Sequence, residues 1–203
     1  MKTSPGTILA IMAHPDDAEL WAGGTLALHA RSSAVKILVE TADPRRRSEA
    51  ILGAGILGVS IEVVDALEAV VCRDVMTEFR PDIVITHRVD DVHPDHRLTA
   101  LTVLGVLPDV VITTGFPKRV YVCDTYESAT LNGFVSARVI VDVSETFDLK
   151  ITALRAHQSQ PISHFAAMAE RMGASWGGRI GKQWAEAFDP VPVLGRLPSA
   201  PHL

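Results

Sequence analysis

Two short stretches carry residue types that could do chemistry, and both follow an apolar run. The first, His14-Pro15-Asp16-Asp17, ends the run ILAIMA at 8–13. The second, His93-Pro94-Asp95-His96, closes the segment DIVITHRVDDVHPDHR at 82–97. Carboxylates and imidazoles beside a buried strand tip are costly to desolvate unless something holds them. Imidazole nitrogen and carboxylate oxygen suit Zn2+, and a catalytic zinc takes three protein ligands and keeps a position open for water. His14 and Asp17 are spaced i,i+3 at a helix start, as are His93 and His96, so each pair can face one way. Singly, each residue has a plainer reading: an Asp before a helix is an N-cap, and a histidine at a strand end is a satisfied polar group. The repeated His-Pro-Asp core favours the metal. His29, His157, His164 and His202 show no comparable clustering, His87 reads as core or as support for the ligands, and Asp90 reads as a solvated loop acid.

The elements that would position these residues alternate. Strands are expected at 7–13, 35–40, 61–65, 82–87, 109–113, 119–124 and 137–143, with helices at 17–31, 44–58, 66–80 and 96–107. Asp43-Pro44 marks a helix start, an N-cap followed by proline in the first turn. After 144 the pattern turns helical, over 144–158, 162–172 and 176–188, ahead of a proline-rich tail from 190. This predicts an α/β fold: one Rossmann-like domain over 1–189, its mostly parallel sheet flanked by helices, with a helical C-terminal segment. In open parallel sheets the functional crevice lies at the carboxyl ends of the strands. If 7–13 and 82–87 are neighbours, both His-Pro-Asp clusters meet there.

Two other motif matches fail on context. GAGILG at 53–58 fits a dinucleotide fingerprint, which must follow a strand and open a helix. Here it follows the helical PRRRSEAIL and precedes IEVV, so helix packing explains the glycines better. GASWG at 173–177 fits a nucleophile elbow, which needs a strand–turn–helix around Ser175. It follows AAMAERM, which reads as helix, and a serine hydrolase is the weaker alternative.

Bulk properties narrow the classes. The chain has 203 residues, 47% hydrophobic and 21% charged, with a net charge of −5, as expected of a soluble globular domain. The acidic balance speaks against nucleic acid as a partner, since Arg45-Arg46-Arg47 is the one basic cluster. No run approaches the ~18 consecutive apolar residues of a membrane span. The N-terminal apolar run is too short for a signal peptide. Cys72 and Cys123 read as buried thiols in a reducing compartment, and the expected location is the cytoplasm.

AHPDD followed by GG, with HPDH after PDIVITH, resembles the LmbE-like/PIG-L family of zinc-dependent N-deacetylases. Arg46, Glu49, Leu57 and Gly58, then LKITALRAHQSQ and WGGRIGKQWAEAF, extend the likeness nearly end to end. The resemblance implies His14, Asp17 and His96 as ligands of Zn2+, with Fe2+ as an alternative ion for the same set. It implies Asp16 as general base and His93 as the group that stabilises the oxyanion or protonates the leaving amine, with Asp95 orienting it. Arg46 matches an arginine that touches substrate. The implied reaction removes an acyl group, most simply acetyl, from a small N-acylated amino-sugar-like or glycoside substrate, and the implied assembly is a homo-oligomer, a trimer or hexamer. The competing readings are an amidase for another small amide or an antibiotic or thiol-conjugate intermediate, and a non-catalytic metabolite-binding module. The sequence departs from the commonest family pattern at Ala18, where many relatives carry Glu; here the acid follows at Glu19. It also lacks a longer Gly-rich loop after VETAD.

Overall fold

The computed structural model describes residues 6–196. β1 (Ile8–Met12), β2 (Val35–Glu40), β3 (Ser60–Val64), β4 (Ile83–Thr86) and β5 (Arg119–Cys123) are mutually parallel, in the order β3-β2-β1-β4-β5. All five residues of β1 are buried, as both faces of a central parallel strand should be. Two short strands, β6 (Ala129–Thr130) and β7 (Gly133–Phe134), form a separate hairpin. β8 (Val139–Asp142) and β9 (Ala185–Val191) complete the sheet, with β9 antiparallel between β5 and β8.

The helices are α1 (Asp17–Ala30), α2 (Pro44–Leu57), α3 (Ala69–Phe79), α4 (Pro94–Thr114), α5 (Phe147–Leu154) and α6 (Ile162–Arg179). One apolar cluster gathers α1, α5 and α6 residues on one face of the sheet; a second gathers α3 and α4 residues on the other. α2 begins as its sequence predicts: Pro44 opens it and Arg45 N–H donates to Asp43 Oδ1 at 2.8 Å. It ends at Gly58, whose φ of 74° is the left-handed conformation that a helix C-terminus favours in glycine.

Two expected elements are corrected. Residues 109–113 are not a strand but the last turns of α4. The β-branched run is overridden because His96, Ala100, Val103, Leu107 and Val110 repeat at helical spacing and are all buried. By length and composition α4 could cross a membrane, yet this apolar stripe packs into the domain. Of the helix expected at 176–188 only 176–179 is helical, as the end of α6, which runs unbroken from Ile162 to Arg179; β9 follows as a strand that sequence reading missed. Gly177 lets the returning chain pass close, since a Cβ there would sit 2.7 Å from the carbonyls of Lys182 and Gln183. The proline-rich tail expected from 190 starts inside β9, and its residues 197–203, with His202, lie outside the described residues, as do residues 1–5 at the expected start of the chain.

Candidate metal centre

β1 pairs with β2 on one side and β4 on the other, so the order of connection reverses between β1 and β4. A crevice opens at such a switch point, outside the carboxyl ends of the strands. The loop after β1 delivers His14, Asp16 and Asp17 there. The loop after β4 delivers His87, Asp91 and the HPDH segment.

The buried carboxylate of Asp17 is the hub. Its Oδ2 lies 3.2 Å from His14 Nδ1, 3.2 Å from His87 Nε2 and 3.3 Å from His96 Nε2. It also accepts the His14 N–H at 2.8 Å, while Oδ1 accepts the Trp21 indole N–H at 3.1 Å. Burial alone would raise this carboxyl, but the imidazoles around it, the charge of His96 foremost, hold it well below the usual range. His96 is fully buried, and its Nδ1 lies 3.1 Å from Asp91 Oδ2. Burial alone would lower its pKa; the carboxylate charge of Asp17, then the pairing with Asp91, push it up to about 10.

These atoms fit a divalent metal. His96 Nε2 is buried and has no hydrogen-bond partner among the described residues, with its other nitrogen tied to a carboxylate. That is the arrangement of a metal-ligating histidine and its outer partner. Donors 2.0–2.1 Å from a tetrahedral zinc stand about 3.3 Å apart, close to the spacings around Asp17. Two overlapping triads bring donor atoms within 4.8 Å of one another: His14 with His93 and His96, and Asp17 with His87 and His96. Each holds two of the three expected ligands and adds one residue, His93 in the first and His87 in the second; the expected set of His14, Asp17 and His96 is not itself one of the two triads. His87 Nε2, however, already accepts the Ala13 N–H at 3.0 Å. That bond occupies the lone pair a metal would need and fits His87 for bracing the β1 terminus.

The remaining predicted residues surround the hub. Asp16 occupies the N-cap position of α1 but makes no capping bond. Its Oδ1 instead accepts from Arg46 Nη2 at 3.0 Å. Burial, then the Asp17 charge, holds its carboxyl above the ordinary value, against the smaller opposing pull of His157 and Arg46. Only the middle arginine of the triplet reaches the site: Arg45 turns to Glu49, and Arg47 to the carbonyls of Val63 and Thr41 and to Asp65. His93 caps α4, with Nδ1 accepting the Asp95 N–H at 3.2 Å, which leaves Nε2 as the N–H donor when the ring is neutral. Burial, followed by the charges of His96 and His14, lowers its pKa. The Asp95 carboxylate lies 3.2 Å from His14 Nε2 but 4.0 Å from His93 Nδ1. Asp95 therefore steadies His93 through its backbone rather than its side chain.

Sequence reading passed over Asp91 and Tyr126. Asp91 was visible as the acid five residues ahead of His96; Tyr126 gave no signal. The Tyr126 ring stacks on His96 with centroids 5.8 Å apart and meets Trp21 edge-on at 5.1 Å. The turn carrying it holds Glu127 and Ser128 at positive φ and is braced by Asp124, which accepts from Ser128 Oγ and Trp176 Nε1.

The two rejected motifs find structural uses. Gly53 lies within α2, where a Cβ would stand 3.0 Å from His157 Nε2 and closer still to Glu19 Oε1. It makes room for a buried Glu19–His157 pair, 3.4 Å apart, that joins α1 to the turn after α5. Ser175 is an exposed residue within α6, with no strand before it. The Gly23-Gly24 pair after HPDD is likewise a packing feature. A Cβ on Gly24 would meet Val143 at 2.7 Å, and the Gly24 and Thr25 N–H groups donate to Glu186, which pairs with buried Lys150 at 2.7 Å.

No family model matches the chain. It is similar to 1D-myo-inositol 2-acetamido-2-deoxy-alpha-D-glucopyranoside deacetylase 1 of Saccharopolyspora erythraea, at 26% identity over 78% of each chain. In structure it resembles a conserved protein of Thermus thermophilus, with a TM-score of 0.80, 23% identity and coverage of 97% of this chain and 98% of that one. It also resembles the N,N'-diacetylchitobiose deacetylase of Pyrococcus horikoshii, with a TM-score of 0.74, 23% identity and coverage of 93% and 84%. The zinc-inhibited form of teicoplanin deacetylase Orf2 gives a TM-score of 0.74 at 18% identity, covering 91% and 97%. At these identities the structural likenesses speak for the fold.

Proposed function

Taking the chain as a member of the LmbE-like/PIG-L family, on its paired motifs, its fold and its curated relative, we propose that it is a metal-dependent N-deacetylase. It removes an acyl group, acetyl in the simplest case, from the amine of an amino-sugar-like or glycoside substrate. The observation that carries this reading is the orphaned, buried His96 Nε2 facing Asp17 and His14, with the uncapped carboxylate of Asp16 beside them.

In this reading His14, Asp17 and His96 hold the ion. Zn2+, or Fe2+ in the same ligand set, would supply Lewis acidity and lower the pKa of a water to about 7. The chain's own residues do the rest. Asp16 takes a proton from the attacking water as the new C–O bond forms at the acyl carbon. A carboxylate held above its ordinary pKa is a better base than an exposed aspartate. His93 donates Nε2–H to the acyl oxygen as negative charge develops there. As the C–N bond breaks, Asp16 returns the proton to the departing nitrogen; the second water proton, left on the new carboxyl group, passes to the amine, so the products are acetate and the ammonium form of the amine. Arg46 fixes Asp16 through its guanidinium and presents its remaining donors to substrate hydroxyls. Tyr126, half-buried beside His96 and backed by the buried Trp21, offers the aromatic surface suited to the face of a sugar ring.

The deciding experiment measures metal content and acetate release from a panel of N-acetylated amino sugars and glycosides, with the protein loaded separately with Zn2+ and Fe2+. The expected result is about one ion per chain and turnover that chelation abolishes. Bound metal below about 0.2 per chain after loading, or turnover that survives chelation, would overturn the reading.

A further inference from the structure

At the opposite pole of the sheet from the metal centre lies a cavity of about 180 Å3 that the proposed chemistry does not use. Its floor is the sheet face beneath α1, formed by Ile8, Ile83 and Ile85 with Val141 and Phe188. Ile8, Ile83 and Arg119 are the first residues of β1, β4 and β5, so the cavity sits by the amino ends of strands whose carboxyl ends carry the HPDD and HPDH loops. A cavity of roughly 150 Å3 lined by aliphatic side chains accepts a benzene ring, which sets the size of a suitable guest.

The polar groups in the wall define the guest further. Arg119 is half-buried at the rim, and no carboxylate pairs with its guanidinium among the described residues. Its charge reaches His29, the other basic residue in the wall, whose pKa is lowered by burial and then by Arg119. Thr25 is only 4% exposed, and its hydroxyl has no hydrogen-bond partner among the described residues. The Thr25 hydroxyl oxygen is itself shut off from the opening, so the group a guest can reach is the Arg119 guanidinium at the rim, and an anionic oxygen placed there would make a charge-assisted hydrogen bond.

From this we propose a second ligand site, separate from the metal centre, for a small monocarboxylate with a ring-sized apolar body. The ring fills the aliphatic floor and the carboxylate turns to Arg119 at the rim. The site stands independently of the deacetylase reading, because none of its residues touches the metal cluster.

The test is calorimetric titration of the metal-loaded full chain with phenylacetate, repeated after chelation, with benzyl alcohol as the neutral counterpart. Saturable phenylacetate binding that persists after chelation, and is at least tenfold tighter than benzyl alcohol binding, is the expected result. Arg119→Gln, at a half-exposed position, should weaken phenylacetate binding about 10- to 100-fold, the size of a lost hydrogen bond to a charged group. Val141→Trp should abolish it by filling the floor, with circular dichroism and the thermal midpoint verifying the fold. If binding is absent, or disappears on chelation and ignores Arg119→Gln, the site does not exist as described.

Discussion

Asp91 and His96 form a wholly buried pair, Oδ2 to Nδ1 at 3.1 Å, with neither side chain exposed. The same carboxylate accepts the His93 N–H through Oδ1 at 2.8 Å. One acid therefore fixes the ring of a proposed ligand and the backbone of the proposed oxyanion donor. Asp91→Asn keeps the volume but removes the charge and leaves the amide fewer acceptor sites. Partners of this kind are worth about 10- to 100-fold in metal affinity. A chelator-competition titration should show that loss for Asp91→Asn, with the ion still bound at saturation.

Asp16 and Asp17 are adjacent in sequence but differ in environment, and that predicts opposite phenotypes. Asp17 faces three imidazoles; Asp16 faces a guanidinium. Asp17→Ala and His96→Ala should lose the metal. Asp16→Asn should keep it and lose about 10²–10⁴ in kcat, the usual contribution of a positioned base. His93→Ala should also keep the metal and lose about 10²–10³, as for a missing oxyanion donor. Metal analysis beside steady-state kinetics separates these classes, and a metal-free Asp16→Asn protein would reverse the assignment.

The pH profile should report the same carboxylate. A base works only when ionised, so activity falls as pH drops through the Asp16 pKa, which burial and Asp17 hold above the ordinary value. Arg46 pulls in the other direction, favouring the charged form. Arg46→Gln removes that pull. The acid limb of kcat/KM should move to higher pH in the variant, with KM raised as well if Arg46 contacts substrate. An unmoved acid limb would detach Arg46 from Asp16 function.

Gly53 offers a test of packing alone. Adding one methyl group in Gly53→Ala drives a Cβ into the Glu19–His157 pair. Helix propensity favours alanine over glycine by about 1 kcal/mol, so a neutral packing environment would make the variant more stable. Overpacking a tight site costs about 1–3 kcal/mol. The thermal midpoint should therefore fall, and a rise would show that the pair moves aside freely.

How much of this was legible follows from which forces are local. The HPDD and HPDH segments could be read because capping, proline placement and ligand spacing are set within a few residues, and β1 and β4 are near-continuous apolar runs. The partition of Arg45, Arg46 and Arg47 was not legible: consecutive residues on a helix point about 100° apart, and which one meets Asp16 depends on how α2 packs. β9 was hidden because Ala185, Glu186 and Ala187 carry no strand signature. Their extended form is imposed by pairing to β5 and β8, partners far away in sequence. Which group of Asp95 meets His93 was likewise not legible: as the second residue of α4 its N–H, not its carboxylate, faces the capping ring.

The raised pKa of His96 gives the site a pH signature that depends on whether metal is bound. In the metal-free protein this imidazole stays protonated to about pH 10, against 6.5 for an unperturbed histidine, because Asp17 and Asp91 favour its charged form. A folded-state pKa above the unfolded one means stabilisation that is complete below about pH 6.5 and is lost as pH rises toward 10. The metal-free protein should thus lose thermal stability between pH 6.5 and 10. A bound ion takes the place of that proton, since a ligating imidazole must be neutral, so binding near pH 7 should release about one proton from His96. The metal-loaded protein should show a flatter midpoint over the same range. Parallel melting curves with and without chelator at pH 6.5, 8 and 9.5 check both statements, and calorimetric metal titrations in buffers of different ionisation enthalpy count the proton. Equal slopes with and without metal would remove His96 from the ligand set.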